Sequence, residues 1–304
     1  MKKAVVLCSA WALMGGTIFA APAQATVEPA DHYKSLISTS IYSANNLYLQ
    51  TGWYDMDGDD TGADPDMNNA NFVGSYYFGE IGDTWRPFLL GGFGFSKIKQ
   101  NPFEDGHDLE LDSSYIKLGG GVNYNPTQNI GLILGVSGLW MKSDGTYGGS
   151  DTEMKKYFDA DSDTALYDLF AGINLHTELN GYKPYADLTA HYLSIDYDFD
   201  LSDSSGWSTD LSAGVYTPVF SHWMNLPVRA HLFVAGSFLS GELRDDVWFG
   251  HHYSAGASLL SKVGPLLNID AFKDTELSFN LQGTRGDNGL SGWKASVSFS
   301  IAKF

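Results

Sequence analysis

At 304 residues the chain is long enough for one large domain or two ordinary ones, and 43% of it is hydrophobic, with 34 Gly, 17 Tyr, 18 Phe and 8 Trp but only 10 Pro. Its net charge of −18 excludes a nucleic-acid binder, which needs cationic surface to displace counterions from phosphates. The single cysteine, Cys8, leaves no pair for an internal disulfide.

Residues 1–25 read as a secretory signal peptide. Lys2 and Lys3 precede an apolar run from Ala4 to Phe19, and Ala23-Gln24-Ala25 is a small-residue cleavage site, with cleavage expected before Thr26. Cys8 leaves with it, so no thiol chemistry is expected, and the net charge falls from −18 to −20. No later apolar run is long enough for a membrane helix.

Residues 26–44 carry two signals at once. Tyr33, Ile37 and Ile41 recur every four residues, a helical stripe. Ile37 to Ile41 also alternates and is rich in β-branched residues, which suits a strand. The segment is expected in a barrel lumen or at its periplasmic mouth, a plug or linker whose Asp31, His32 and Lys34 meet Asp187, Arg229 and His231.

From residue 45 to 304 the pattern has a period of two. Strands are predicted over 45–55, 71–79, 84–97, 113–125, 129–142, 164–178, 182–199, 207–220, 226–240, 249–263, 275–283 and 291–304. In the sixth, Ala165, Tyr167, Leu169, Ala171, Ile173 and Leu175 oppose Asp168, Gly172, Asn174 and His176. In the eleventh, Leu277, Phe279 and Leu281 oppose Glu276, Ser278, Asn280 and Gln282. One apolar face per strand suits either a barrel in lipid or two packed soluble sheets. The connections separate the two. Those at 55–70, 99–112, 143–163, 200–206, 241–248 and 283–290 are long and mostly acidic, whereas 79–83, 125–128, 179–181 and 221–225 are short, with 264–274 the exception. Long loops at one rim and tight turns at the other, with aromatic strand ends such as Trp53, Trp85, Trp140 and Trp207, predict an all-β transmembrane antiparallel up-and-down barrel of about 12 strands. An even count puts both ends of the wall at the short-turn, periplasmic rim.

Within the acidic loop at 55–66, Asp57, Asp59, Asp60, Asp64 and Asp66 are candidate ligands for Ca2+ or Mg2+, since hard cations take oxygen donors from flexible carboxylate loops. The spacing departs from a helix–loop–helix calcium loop, and otherwise no cofactor is expected. By strand parity His176, Asp187, His191, Arg229 and His231 all point inward and form a candidate polar cluster in the periplasmic half of the lumen. The known catalytic motifs are missing from the sequence. His252 and Ser254 share a face but have no orienting third group, so no enzyme is expected; an outer-membrane lipid hydrolase is a distant alternative.

The last strand, residues 291–304, alternates Trp293, Ala295, Val297, Phe299 and Ile301 with small or polar residues and stops on Phe304. Trp293, Phe299, Ile301 and Phe304 resemble the terminal sorting signal of bacterial outer-membrane barrels, although the apolar set runs one residue out of phase with Phe304. With a short segment before about twelve strands, the chain resembles the solitary, passenger-less autotransporter-type β-barrels. That resemblance implies an integral, monomeric outer-membrane protein with a cleaved signal. It also implies lipid and lipopolysaccharide as surroundings, barrel-assembly machinery as a partner in biogenesis, and no nucleic acid. The functions it implies are non-enzymatic, a translocator-like barrel with acidic surface loops or, alternatively, a porin-like channel for neutral or cationic solutes.

Overall fold

The computed structural model describes residues 29–46, 52–56, 65–78, 81, 84–100, 107–159, 161–198, 201–223, 226–263 and 275–301. They form α1 (Pro29–Asn45), β1 (Gly52–Asp55), β2 (Pro65–Tyr77), β3 (Trp85–Gln100), β4 (Leu109–Thr127), β5 (Ile130–Tyr147), α2 (Thr152–Phe158), β6 (Asp161–His176), β7 (Lys183–Tyr197), β8 (Ser204–Tyr216), β9 (Ser221–Trp223), β10 (Leu226–Gly241), α3 (Glu242–Asp246), β11 (His251–Lys262), β12 (Thr275–Gly286) and β13 (Ser291–Ile301).

Neighbouring strands pair antiparallel, and β1 pairs with both β2 and β13, so the sheet closes on itself. β9 continues the edge of β8, since both pair with β10. The wall is therefore a twelve-stranded barrel. Following hydrogen-bonded partners from Trp53 through β2, β3, β4 and β5 reaches Asp161 at the head of β6. Going the other way, through β13, β12, β11, β10, β8 and β7, reaches Leu175 near its tail. That offset is the shear a closed barrel needs for its strands to tilt.

Side chains alternate across this wall as the period of two requires. Leu89, Phe93, Leu134, Leu169, Leu232 and Phe279 stand outward, each about half exposed. Trp53, Trp140, Trp207 and Trp293 flank this band toward the long connections, and Trp85, Tyr182 and Trp223 flank it at the short turns. An apolar outer belt between two aromatic girdles is the surface of a barrel made for a bilayer. The tryptophans Trp53 and Trp293 stack across the closing seam with ring centroids 4.8 Å apart.

The buried core lies inside the barrel, toward its long-connection rim. Tyr33, Leu36, Ile37, Ile41 and Tyr42 of α1 meet Met67, Ile98, Leu111, Leu139, Leu166 and Ile195 of the wall. Phe158 of α2 and Leu243 of α3 are fully buried in the same cluster. Thus α1 is a luminal helix, and two of the long connections fold inward over it. Gly145 permits this for α2: a Cβ there would sit 2.2 Å from the Phe158 carbonyl oxygen.

Several boundaries differ from the sequence reading. Asn45 is the last residue of α1 and not the first of a strand, because its side chain is held by the lumen and not by a neighbouring strand. The described part of β1 begins at Gly52. The connection after β12 is not long: β12 runs to Gly286 and β13 starts at Ser291. Asn288 and Gly289 there take positive φ of 47° and 66°, the backbone of a tight hairpin turn. Asn180 and Gly181 make the same turn between β6 and β7, as their sequence suggests.

Candidate functional site

The direction of α1 is the first feature of the site. Near its amino end, His32 Nε2 lies 2.9 Å from Gln100 Oε1 at the end of β3, and Tyr33 donates to Ser162 Oγ at the start of β6 (2.9 Å). Lys34 pairs with Asp246 of α3 at 2.8 Å and reaches Ser202 at 3.3 Å. All four partners lie at the long-connection rim. Burial between the Phe158 and Trp248 rings lowers the pKa of His32, because desolvation penalises the imidazolium. Midway, Thr39 Oγ1 accepts from the Trp248 backbone N–H at 2.8 Å, and Ser38 Oγ lies 2.5 Å from Tyr197 OH. The amino end of the helix therefore points to the long-connection rim and its carboxyl end into the barrel. This corrects the expectation that Asp31, His32 and Lys34 meet Asp187, Arg229 and His231 near the short-turn rim. The helix runs the other way.

The carboxyl end of α1 meets a charged cluster that parity alone did not assemble. Asn45 Nδ2 donates to Asp168 Oδ2 of β6 at 3.3 Å, and Lys117 Nζ of β4 donates to the Asn45 carbonyl at 3.3 Å. A cation on the last carbonyls of a helix opposes the negative end of its dipole. His191 of β7 places Nδ1 3.0 Å and 3.1 Å from the two Asp168 oxygens and Nε2 3.6 Å from Asp210 Oδ2 of β8. Tyr42 OH lies 3.2 Å from Ser208 Oγ, and Asn46 Nδ2 donates to Ser237 Oγ at 3.1 Å. Lys117, Asp168 and Ser237 are all buried.

Of the lumen residues singled out from the sequence, Arg229 and His231 are neighbours, Asp187 and His176 are neighbours, and both pairs lie around Tyr185 and Tyr216, whereas His191 sits apart. His191 belongs to the group just described. Arg229 makes a bidentate pair with Glu276 across β11, at 2.9 Å and 2.7 Å, and stacks over the Tyr216 ring. His231 lies flat on Tyr216 with centroids 4.2 Å apart, and its Nε2 is 2.9 Å from Tyr185 OH. Asp187 accepts from Asn174 at 2.9 Å and Ser212 at 3.4 Å. His176 is exposed, opposite Tyr185 in register. Sequence parity found the inward face of each strand. It missed Lys117, Asp168, Asp210 and Asn45 as partners, for which only the register carries a signal.

The remaining candidates are quickly placed. Asp57, Asp59, Asp60 and Asp64 lie outside the described residues; Asp66 is exposed on β2 opposite Lys99. Among the described residues no group of three or more His, Cys, Asp or Glu is arranged to hold a metal ion. Ser254 Oγ is 2.8 Å from Thr284 Oγ1, while His252 packs edge-on against Phe249. Phe299 and Ile301 stand in β13 opposite Leu277 and Thr275, and Phe304 lies outside the described residues.

No protein-family model matches the chain, and no curated protein matches it. Solved structures do. The transport unit of the autotransporter AIDA-I from Escherichia coli aligns with a TM-score of 0.59 at 10% identity, over 91% of this chain and 100% of that one. The beta domain of the Bordetella autotransporter BrkA aligns at 0.55 and 11% identity, over 82% and 94%. The translocator domain of autotransporter NalP from Neisseria meningitidis aligns at 0.53 and 12%, over 89% and 95%. At such identities the likeness concerns the fold: this twelve-stranded barrel is similar in fold to the translocator domains of autotransporters.

Proposed function

We propose that the chain is an outer-membrane barrel of the autotransporter translocator type, resting in a plugged state, non-enzymatic, with a surface role carried by its acidic long connections. The observation that carries this reading is the polarity of α1. A helix with its amino end at the long-connection rim has the polarity of a segment that has crossed the lumen toward the outer face. A segment that had simply stayed behind in the periplasm would enter from the opposite rim. The inward-folded α2 and α3, and α1 buried from Leu36 to Asn45, fit a closed barrel better than a small-solute channel. The outer belt fits lipid and lipopolysaccharide as its surroundings, and the closing strand fits recognition by barrel-assembly machinery.

The test uses the lack of cysteine after Cys8. Ala30→Cys places one thiol in the first turn of α1, near the long-connection rim. In intact cells a membrane-impermeant maleimide should label it. Labelling only after the outer membrane is permeabilised would reverse the orientation and remove the reading. A steady, solute-blockable conductance from the full-length protein already at about pH 6.5, where the plugged state is expected, would assign the channel function instead.

A further inference from the structure

We infer that Lys117, Asp168, His191 and Asp210 form a proton-operated latch that holds the carboxyl end of α1 in the lumen. The inference rests on the plugged-barrel reading and adds its regulation.

Both ring nitrogens of His191 face carboxylates: Nδ1 faces Asp168 and Nε2 faces Asp210. A neutral imidazole has one N–H and one lone pair, so it would turn that lone pair toward an anion; only the imidazolium presents a donor to each side. The charge count agrees. With His191 protonated, two cations face two carboxylates and the cluster is neutral. With His191 neutral, Lys117 alone faces two carboxylates, and one negative charge remains unbalanced beside the last carbonyls of α1. That is the negative end of the helix dipole, where an anion is unfavourable. Buried charge without a partner is costly, and in a two-state arrangement the cost falls on the state that contains it. Releasing α1 removes the Asn45 side chain and carbonyl from the cluster and opens the site to water. Deprotonation therefore shifts the population toward the released helix.

Among the described residues the charged groups facing His191 are Lys117 of β4, Asp168 of β6 and Asp210 of β8, and the titratable residue of α1 near the cluster is Tyr42, beside Ser208. The histidine of α1, His32, sits at the opposite end of the helix. Its depressed pKa keeps it neutral above about pH 6.5, so it does not titrate in the alkaline window.

The experiment is planar-bilayer conductance of the full chain between about pH 6.5 and about pH 9. Each pKa unit linked to the transition changes the closed-to-open ratio about ten-fold, so the open fraction should rise toward alkaline pH by about ten-fold per linked unit. Asp210→Asn removes one negative charge, keeps the cluster neutral without the His191 proton, and should hold the barrel closed at both pH values. His191→Gln should leave it open at both, and the double variant should close it again. Heat-modifiable gel mobility checks that each variant is folded, and if His191→Gln does not fold, Asp210→Asn alone decides. A folded wild type that stays closed at both pH values overturns the latch while leaving the plug. A folded Asp210→Asn that opens at alkaline pH like the wild type also overturns it. A wild type open at both pH values overturns the latch, and if Ala30→Cys is then not labelled from outside, the plug reading falls with it.

Discussion

Arg229 carries two loads at one position. Its guanidinium forks onto both oxygens of Glu276, two strands away, and its face covers Tyr216. Glu276 is nearly inaccessible, so removing Arg229 alone would leave a buried carboxylate without its cation. Breaking such a pair costs about 3–5 kcal/mol, whereas replacing both partners by apolar groups can be nearly neutral. Arg229→Met should therefore lower the unfolding free energy in lipid vesicles by about 3 kcal/mol, and adding Glu276→Leu should recover most of that loss. Equilibrium refolding into bilayers measures both; an additive double variant would mean that the two residues act separately. A smaller effect belongs to Tyr33, whose hydroxyl donates to Ser162 inside the core. Tyr33→Phe leaves the ring in place and removes one neutral hydrogen bond, at a cost of about 1 kcal/mol. The same measurement detects it. At this scale the sequence was half legible. Strand parity put His191, Arg229 and Asp187 on the inner face, because the side-chain period of a strand is independent of its neighbours. Which inward residues share a height depends on register and shear, and nothing local in the sequence encodes those. His191 therefore meets Asp168, Asp210 and Lys117 instead of Arg229 and His231.

Helix α1 is the element where two local signals competed. The stripe of Tyr33, Ile37 and Ile41 and the β-branched run of Ile37 to Ile41 are both real features of the chain. The helix wins because a lumen without a free strand edge offers no backbone partners to an extended segment, and a helix satisfies its own. Its polar residues then find partners: Ser38 meets Tyr197 and Tyr42 meets Ser208 on the wall, Thr39 meets the Trp248 backbone after α3, and Asn46, just past the helix, meets Ser237. Its orientation was not legible, since the same stripe fits the lumen pointing either way. Lys34 and Asp246 then tie the upper end, partly buried at 12% and 19% exposure. Deleting residues 26–43 should remove the plug and leave the wall pairing intact, because β1 pairs with β2 and β13 through residues 52–55. The expected outcome is a barrel that still migrates faster unheated than boiled, with conductance well above that of the full chain. A deletion that no longer folds would make the helix a structural brace and not a removable stopper.

The whole molecule is a problem in solvent. Twelve strands close on themselves, the arrangement by which a sheet pairs its backbone groups in lipid and which open sheets cannot achieve. This level was the most legible in the sequence, since alternation, aromatic strand ends and asymmetric connections are each local and each repeated along the chain. Where the reading erred, before the turn of Asn288 and Gly289, it counted as loop the residues 283–286 that β12 runs through, because the outward positions there are Gly283 and Arg285 and the apolar alternation ends at Leu281. The outer face gives the sharpest test of the membrane assignment. Leu134 stands outward on β5, 54% exposed, between Leu132 and Val136 and well inside both strand ends. In a soluble protein an arginine at such an exposed position would cost almost nothing. In a bilayer the same guanidinium must leave water near the midplane, at a cost of about 2–4 kcal/mol that falls to about 0–1 kcal/mol near the interfaces. Leu134→Arg should therefore destabilise the barrel by about 3 kcal/mol in refolding from urea into vesicles, while Trp140→Arg, at the girdle of the same strand, should cost about 1 kcal/mol or less beyond the loss of its ring contacts. The comparison controls for strand propensity and for the size of the new side chain. Equal penalties at the two depths would mean that lipid does not set the energetics of this surface, and a protein recovered folded in the soluble fraction would remove the membrane assignment altogether.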